Sequence, residues 1–206
     1  MSILLPPKNF LDEPPWLPAP VRPSLTINQI HLWRVRMQGP RWMPDEDCPV
    51  SREHSRKLKA ALIRREVITR YTGGPNAQVI PGPCSGLSVA LSQSDDLALI
   101  AVSRNVRGIG LDIERVCHDI PFEEMAGGFL DIRSQWDLRI TWSPVEKAWK
   151  FFQFWTTSEA RAKALPSSQS SRPCEVRGFS PEPDFIAALA LQGGPEANIQ
   201  FWDWQC

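Results

Sequence analysis

The sequence predicts an α+β protein in which each half of the chain combines short strands with one main helix. Three observations predict it. Several short stretches alternate polar and apolar residues, or form brief apolar runs bounded by turn residues, as strands do. One longer stretch in each half repeats its apolar residues every three or four positions, the period of an amphipathic helix. The length, 206 residues, suffices for one domain with a full core, or for two small halves sharing one.

The chain opens with prolines at 6, 7, 14, 15, 18, 20 and 23, which remove backbone donors and block both helix and central strand. Residues 1–26 are therefore read as a proline-rich arm. It is either docked onto the body through Trp16 and Leu17, or a partly disordered leader. Within Ile27 to Met37, alternation from Ile30 onward predicts a first strand. Ser51 to Tyr71 carries Leu58, Ala61, Leu62, Arg65 and Ile68 at helical spacing, with a Ser51 cap and Gly73-Gly74 as the stop. That predicts a helix of about five turns.

Pro75 to Gly86 is a turn-rich connector. Leu87 to Ser92 and Leu97 to Ser103, separated by Ser94-Asp95-Asp96, predict a hairpin, and Gly108 to Glu114 a further strand. From Pro121 to Lys163 the helical period dominates, with Val145, Ala148, Trp149, Phe152 and Trp155 along one face. After a flexible loop from Pro166 to Pro173, Cys174 to Phe179, Phe185 to Leu191 and Ile199 to Trp202 close the chain as short strands. The expected organisation is thus 1–26 arm, 27–105 first half and 106–206 second half.

Lysine plus arginine balance aspartate plus glutamate at 23 each, so no bulk field draws the protein to nucleic acid or to an anionic membrane. Cys48, Cys84, Cys117, Cys174 and Cys206 are widely spaced and form no Cys-x-x-Cys pair, which predicts free thiols in a reducing compartment. No apolar run reaches transmembrane length. The expectation is a soluble, cytoplasmic protein. His31, His54 and His118 show no metal or dyad spacing, and the nine tryptophans are expected in the core and between the halves, since no basic stripe accompanies them.

In Gly108-Ile109-Gly110-Leu111-Asp112-Ile113-Glu114, the two-residue period of a strand points Asp112 and Glu114 the same way. Alone, that is the pattern of a solvated face. In Phe154-Trp155-Thr156-Thr157-Ser158-Glu159-Ala160-Arg161-Ala162-Lys163, Glu159 and Lys163 share a helix face one turn apart, which alone is an ordinary ion pair. Taken together they read differently. Three carboxylates from two elements suit a hard magnesium ion that also holds phosphate oxygens, and a neighbouring lysine can neutralise charge developing on phosphate.

These two motifs, in this order and some forty residues apart, resemble the signature of the 4′-phosphopantetheinyl transferases, particularly the pseudo-dimeric class that activates nonribosomal peptide synthetases. Ile30-His31-Leu32-Trp33-Arg34-Val35 resembles the family's opening strand. Leu91-Ser92-Gln93-Ser94 with Leu97 to Val102 resembles its Leu-Ser-His-Ser hairpin, and Arg64 to Tyr71 its nucleotide-contacting helix. The resemblance covers most of residues 27 to 203. It implies two similar α/β halves in a pseudo-dimer with the active site between them. It also implies transfer of 4′-phosphopantetheine from coenzyme A to a serine of an acyl or peptidyl carrier protein in secondary metabolism, releasing 3′,5′-ADP.

By the same resemblance Asp112, Glu114 and Glu159 hold Mg2+ on the pyrophosphate, with Glu159 and Lys163 as the catalytic pair. Arg64 or Arg65, with Ser92 and Gln93, contact coenzyme A. A monomer is expected. The sequence departs from the pattern at several positions. Gln93 replaces a histidine, exchanging a possible cationic donor for a neutral amide and costing about 1 kcal/mol or more of phosphate binding. Ser158 stands where lysine is common, no Gly-Lys-Pro appears, Gly82-Pro83-Cys84 being the nearest candidate, and Ser134 falls nearest the place of a glutamate base, leaving Asp131, Glu123, Glu124 or a water on the metal as stand-ins. The alternative is a family member repurposed for other small-molecule chemistry or for non-catalytic carrier binding.

Overall fold

The computed structural model describes residues 10–11, 14–37, 49–72, 86–104, 106, 108–165, 174–192 and 197–204. It is an α+β protein of nine strands and four helices among those residues. The strands are β1 (Phe10–Leu11), β2 (Leu17–Pro18), β3 (Gln29–Arg36), β4 (Leu87–Ser94), β5 (Leu97–Arg104), β6 (Gly108–Arg115), β7 (Cys174–Phe179), β8 (Phe185–Gln192) and β9 (Asn198–Asp203). The helices are α1 (Pro49–Thr72), α2 (Phe122–Phe129), α3 (Ile132–Arg139) and α4 (Pro144–Ala164). None is long and apolar enough to cross a membrane.

Two sheets form, ordered β2-β9-β3-β5-β4 and β1-β7-β8-β6. Their inner faces share one core: Ile30, Leu32, Leu97, Leu99 and Phe201 meet Leu111, Ile113, Leu189 and Leu191. Outside the five-stranded sheet, α1 lays Ala60, Ile63 and Val67 on Trp33, Val35, Ile100 and Val102. Outside the four-stranded sheet, α4 lays Ala160 and Ala164 on Ala188 and Ala190. Central strands β5 and β8 are buried along almost their whole length, which explains why they read as continuous apolar runs instead of alternating ones. Strand β9, late in the chain, pairs parallel with β3.

The hairpin forms with Asp95 and Asp96 as its two-residue turn, Asp95 taking φ 50°, a left-handed conformation that aspartate tolerates and such turns require. The region read as dominated by one helical period is three helices. Asp131 caps α3 by accepting from the amides of Arg133 and Ser134, and Ser143 caps α4, with Pro144 in its first turn.

Three expectations need correction. On α1 the buried stripe is Ala60, Ile63 and Val67, with Ile68 beside it, whereas Leu58 and Leu62 are exposed. Both stripes have helical spacing, and the sheet covers only one. Val145 is exposed at the start of α4, and Trp136 and Trp142 stand at the surface, while Trp33 and Trp204 are buried as expected. The arm carries two short edge strands: β1 pairs with β7 and β2 with β9, both parallel, an edge position that tolerates Pro18. Trp16 docks edge-on to Phe201, ring centroids 5.2 Å apart, so this part of the arm is ordered on the body. Cys117 and Cys174 are free thiols, while Cys48, Cys84, Cys206 and the Gly82-Pro83-Cys84 connector lie outside the described residues.

Candidate functional site

Edge strands β4 and β6, one from each sheet, lie side by side in the same direction. The site is built on this seam. Period-two geometry turns Leu111 and Ile113 of β6 into the shared core and Asp112 and Glu114 to the opposite face. Gly108 and Gly110 lie on that same face, beneath α4. A Cβ on Gly110 would collide with the carbonyl of Ala160, and one on Gly108 with that of Ala164. The glycines therefore let helix backbone rest on strand backbone, and this close approach delivers Glu159 and Lys163 to Asp112.

Asp112 is 3% exposed. Its Oδ1 accepts from Lys163 Nζ at 2.6 Å and from Ser92 Oγ at 3.2 Å, while its buried Oδ2 has no partner. Burial pushes the carboxyl above its ordinary range; Lys163 and Ser92 oppose that shift, and the charge of Glu159 adds to it. Glu114 accepts from Ser94 Oγ at 3.1 Å. It is likewise raised by burial and then by the charge of Asp112, with Ser94 and Lys163 opposing. Ser94 was missed as a site residue, although its spacing from Ser92 copies that of Glu114 from Asp112.

The seam thus brings together Asp112, Glu114, Ser92 and Lys163, with Glu159 close enough for its charge to act on Asp112. Gln93 points the other way. It pairs with Ala98 in the hairpin register, on the side facing α1, where its Oε1 is buried without a partner. Arg64 is half-buried on α1 with its Nε unpartnered, whereas Arg65 is exposed. Among the described residues neither arginine bonds to the Asp112 cluster.

The stand-in bases are engaged elsewhere or open to solvent. Asp131 caps α3 and also accepts from Ser134 Oγ at 2.9 Å, bonds that hold its carboxyl below the usual range. Glu123 pairs with Lys147 at 2.9 Å, and Glu124 is exposed. His31 is buried, bonded through Nδ1 to Tyr71 at 2.8 Å, and His118 is exposed; the His54 side chain lies outside the described residues.

Among the described residues, no three His, Cys, Asp or Glu side chains converge closely enough to ligate one ion. The ammonium of Lys163 neutralises Asp112 instead. The donor chemistry nonetheless fits a hard divalent cation, because all three carboxylates offer oxygen and the orphaned Asp112 Oδ2 is a buried acceptor lacking a donor.

No family model matches the chain. The 4′-phosphopantetheinyl transferase HetI of Nostoc sp. is 31% identical in an alignment 176 positions long that covers 72% of this chain and 73% of that protein. An identity of that size over that share of both chains, with the acidic strand and the Glu159–Lys163 helix meeting at the seam, shows that the chain belongs to the 4′-phosphopantetheinyl transferase family.

Proposed function

We propose that the chain transfers 4′-phosphopantetheine from coenzyme A to a serine of a carrier protein in a Mg2+-dependent reaction. The observation that supports this reading is the seam between the sheets, where Lys163 bonds to Asp112, Glu114 lies on the same strand face, and the charge of Glu159 acts on Asp112. Asp112, Glu114 and Glu159 would hold the ion, which when bound supplies charge neutralisation to the pyrophosphate.

The remaining work falls to the chain's own groups. The carrier serine oxygen attacks the phosphorus nearer pantetheine, the bond from that phosphorus to the bridging oxygen breaks, and 3′,5′-ADP leaves with the electron pair. The serine proton passes to solvent water, so the step balances as transfer of the phosphopantetheinyl group with release of 3′,5′-ADP and one proton. Lys163, 42% exposed at its side chain and fixed by Asp112, has further N–H donors for a phosphate oxygen as negative charge builds on the leaving group. Ser92 steadies Asp112 from the opposite strand. Arg64, whose half-buried Nε is a donor without a partner, would supply a polar contact for a nucleotide phosphate, whereas the unpartnered Gln93 Oε1 is an acceptor and offers a phosphate oxygen nothing. Asp131 and Glu123 are poor proton acceptors, because their hydrogen bonds favour the charged, unprotonated form.

The test is incubation of carrier proteins with the chain, Mg2+ and coenzyme A, read by intact-protein mass. A gain of one phosphopantetheine arm that disappears with Asp112→Ala supports the reading. No gain on any carrier, with carrier binding retained, favours the repurposed protein instead.

A further inference from the structure

Site motifs name the carboxylates but not what aims them. Glu114 is the next-to-last residue of β6, and a carboxylate on a three-torsion side chain at a strand end is free to sample several rotamers unless something holds it. Here the tip of the β4–β5 hairpin does so. Ser94 Oγ accepts from the backbone amide of Arg115 at 3.0 Å and donates its single proton to Glu114 Oε2 at 3.1 Å. One hydroxyl therefore locks both the main chain and the side chain at the end of β6. The neighbouring turn residue adds a second tie, Asp95 Oδ2 accepting from Arg115 Nη1 at 3.1 Å.

The arrangement repeats one step up the seam. Ser92 donates to Asp112 and Ser94 to Glu114, so each serine faces the carboxylate twenty positions further along the chain. Two strands running side by side in the same direction keep that offset. Any slip of β4 against β6 would break both pairs together.

We propose that Ser94 is a positioning residue that holds the Glu114 carboxylate in its ligating orientation. The inference rests on the reading of Glu114 as a metal ligand. Partners that orient metal ligands typically change metal affinity by about 10-fold to 100-fold when removed. Ser94→Ala should thus weaken the ion without touching the reacting atoms. Ser94→Thr keeps the hydroxyl and the strand preference, and should rescue.

The test uses the full chain with coenzyme A and titrates Mn2+, free ion being read by electron paramagnetic resonance, alongside thermal denaturation. The expected result is an affinity about 10-fold weaker in Ser94→Ala, near wild type in Ser94→Thr and abolished in Asp112→Ala, with the melting temperature of Ser94→Ala little changed. Wild-type affinity in Ser94→Ala beside lost binding in Asp112→Ala would overturn the positioning role and leave the metal site standing. Undiminished binding in Asp112→Ala would overturn the metal site itself, and this inference with it. A weakened Ser94→Ala that also melts early and is not rescued by threonine shows a structural role, and likewise overturns the proposal.

Discussion

Replacing Gly110 by alanine tests the contact on which the site is built. A Cβ there would lie 2.6 Å from the amide nitrogen of Ala164, besides colliding with the Ala160 carbonyl, where ordinary contact begins at 3.4 Å. Helix α4 would therefore have to retreat by at least ~0.8 Å, the difference between those distances. The clash is with backbone, so no rotamer change relieves it. Overpacking of this kind costs about 1–3 kcal/mol, and the upper end applies here. Restricting the unfolded chain returns only about 0.4–1 kcal/mol. A net loss of about 2 kcal/mol lowers the melting temperature of a domain this size by roughly 4–8 °C. Glu159 adjoins Ala160 and Lys163 adjoins Ala164, so both leave their places over Asp112, and a misplacement near 1 Å costs on the order of 100-fold in rate. Calorimetry and phosphopantetheine transfer, measured by intact mass, check the two effects. An alanine variant with unchanged melting temperature and unchanged transfer would refute the argument that glycine is needed for the approach of helix to strand.

Lys163→Met keeps the aliphatic stem but leaves the buried Asp112 carboxylate without its cation. Asp112 is already raised above its unfolded value, so its contribution is present at low pH and is lost as pH rises; the variant should therefore lose about 1–2 kcal/mol at pH 8 and less at pH 5. Equal losses at both pH values in denaturant titrations would contradict this. For His31, burial lowers the folded-state value from 6.5 to about 4. Its stabilising contribution is thus complete above about 6.5 and disappears as pH falls from there towards 4. The full shift corresponds to ~3 kcal/mol, the upper bound on that loss. A His31→Gln variant should flatten that pH dependence in urea melts, and an unaltered slope would assign it elsewhere. Trp16→Ala removes the edge contact with Phe201 and the stacking of the Arg34 guanidinium, 4.5 Å from the ring centroid. The expected cost is about 2 kcal/mol, and a melting temperature within about 1 °C of wild type would show that these Trp16 contacts do not stabilise the fold.

Period alone determined the local pattern of this protein. Alternation placed Asp112 and Glu114 on one face of β6 and Leu111 and Ile113 on the other, and a helical turn placed Glu159 beside Lys163; both are properties of neighbouring residues that no partner can change. The order of the two motifs then pointed to the family. The sequence could not choose between the two apolar stripes of α1, because Leu58–Leu62 and Ala60–Ile63–Val67 both have helical spacing and only the covering sheet selects one. Nor could it show that Leu17–Pro18 would find β9, or that β9 would return to β3, since those pairings join residues far apart in the chain. The direction of Gln93, away from Asp112, follows from the register of β4 on β5. The seam itself was decided only in three dimensions: only the descent of α4 onto Gly108 and Gly110 shows why a side chain there is excluded and why Lys163 reaches Asp112.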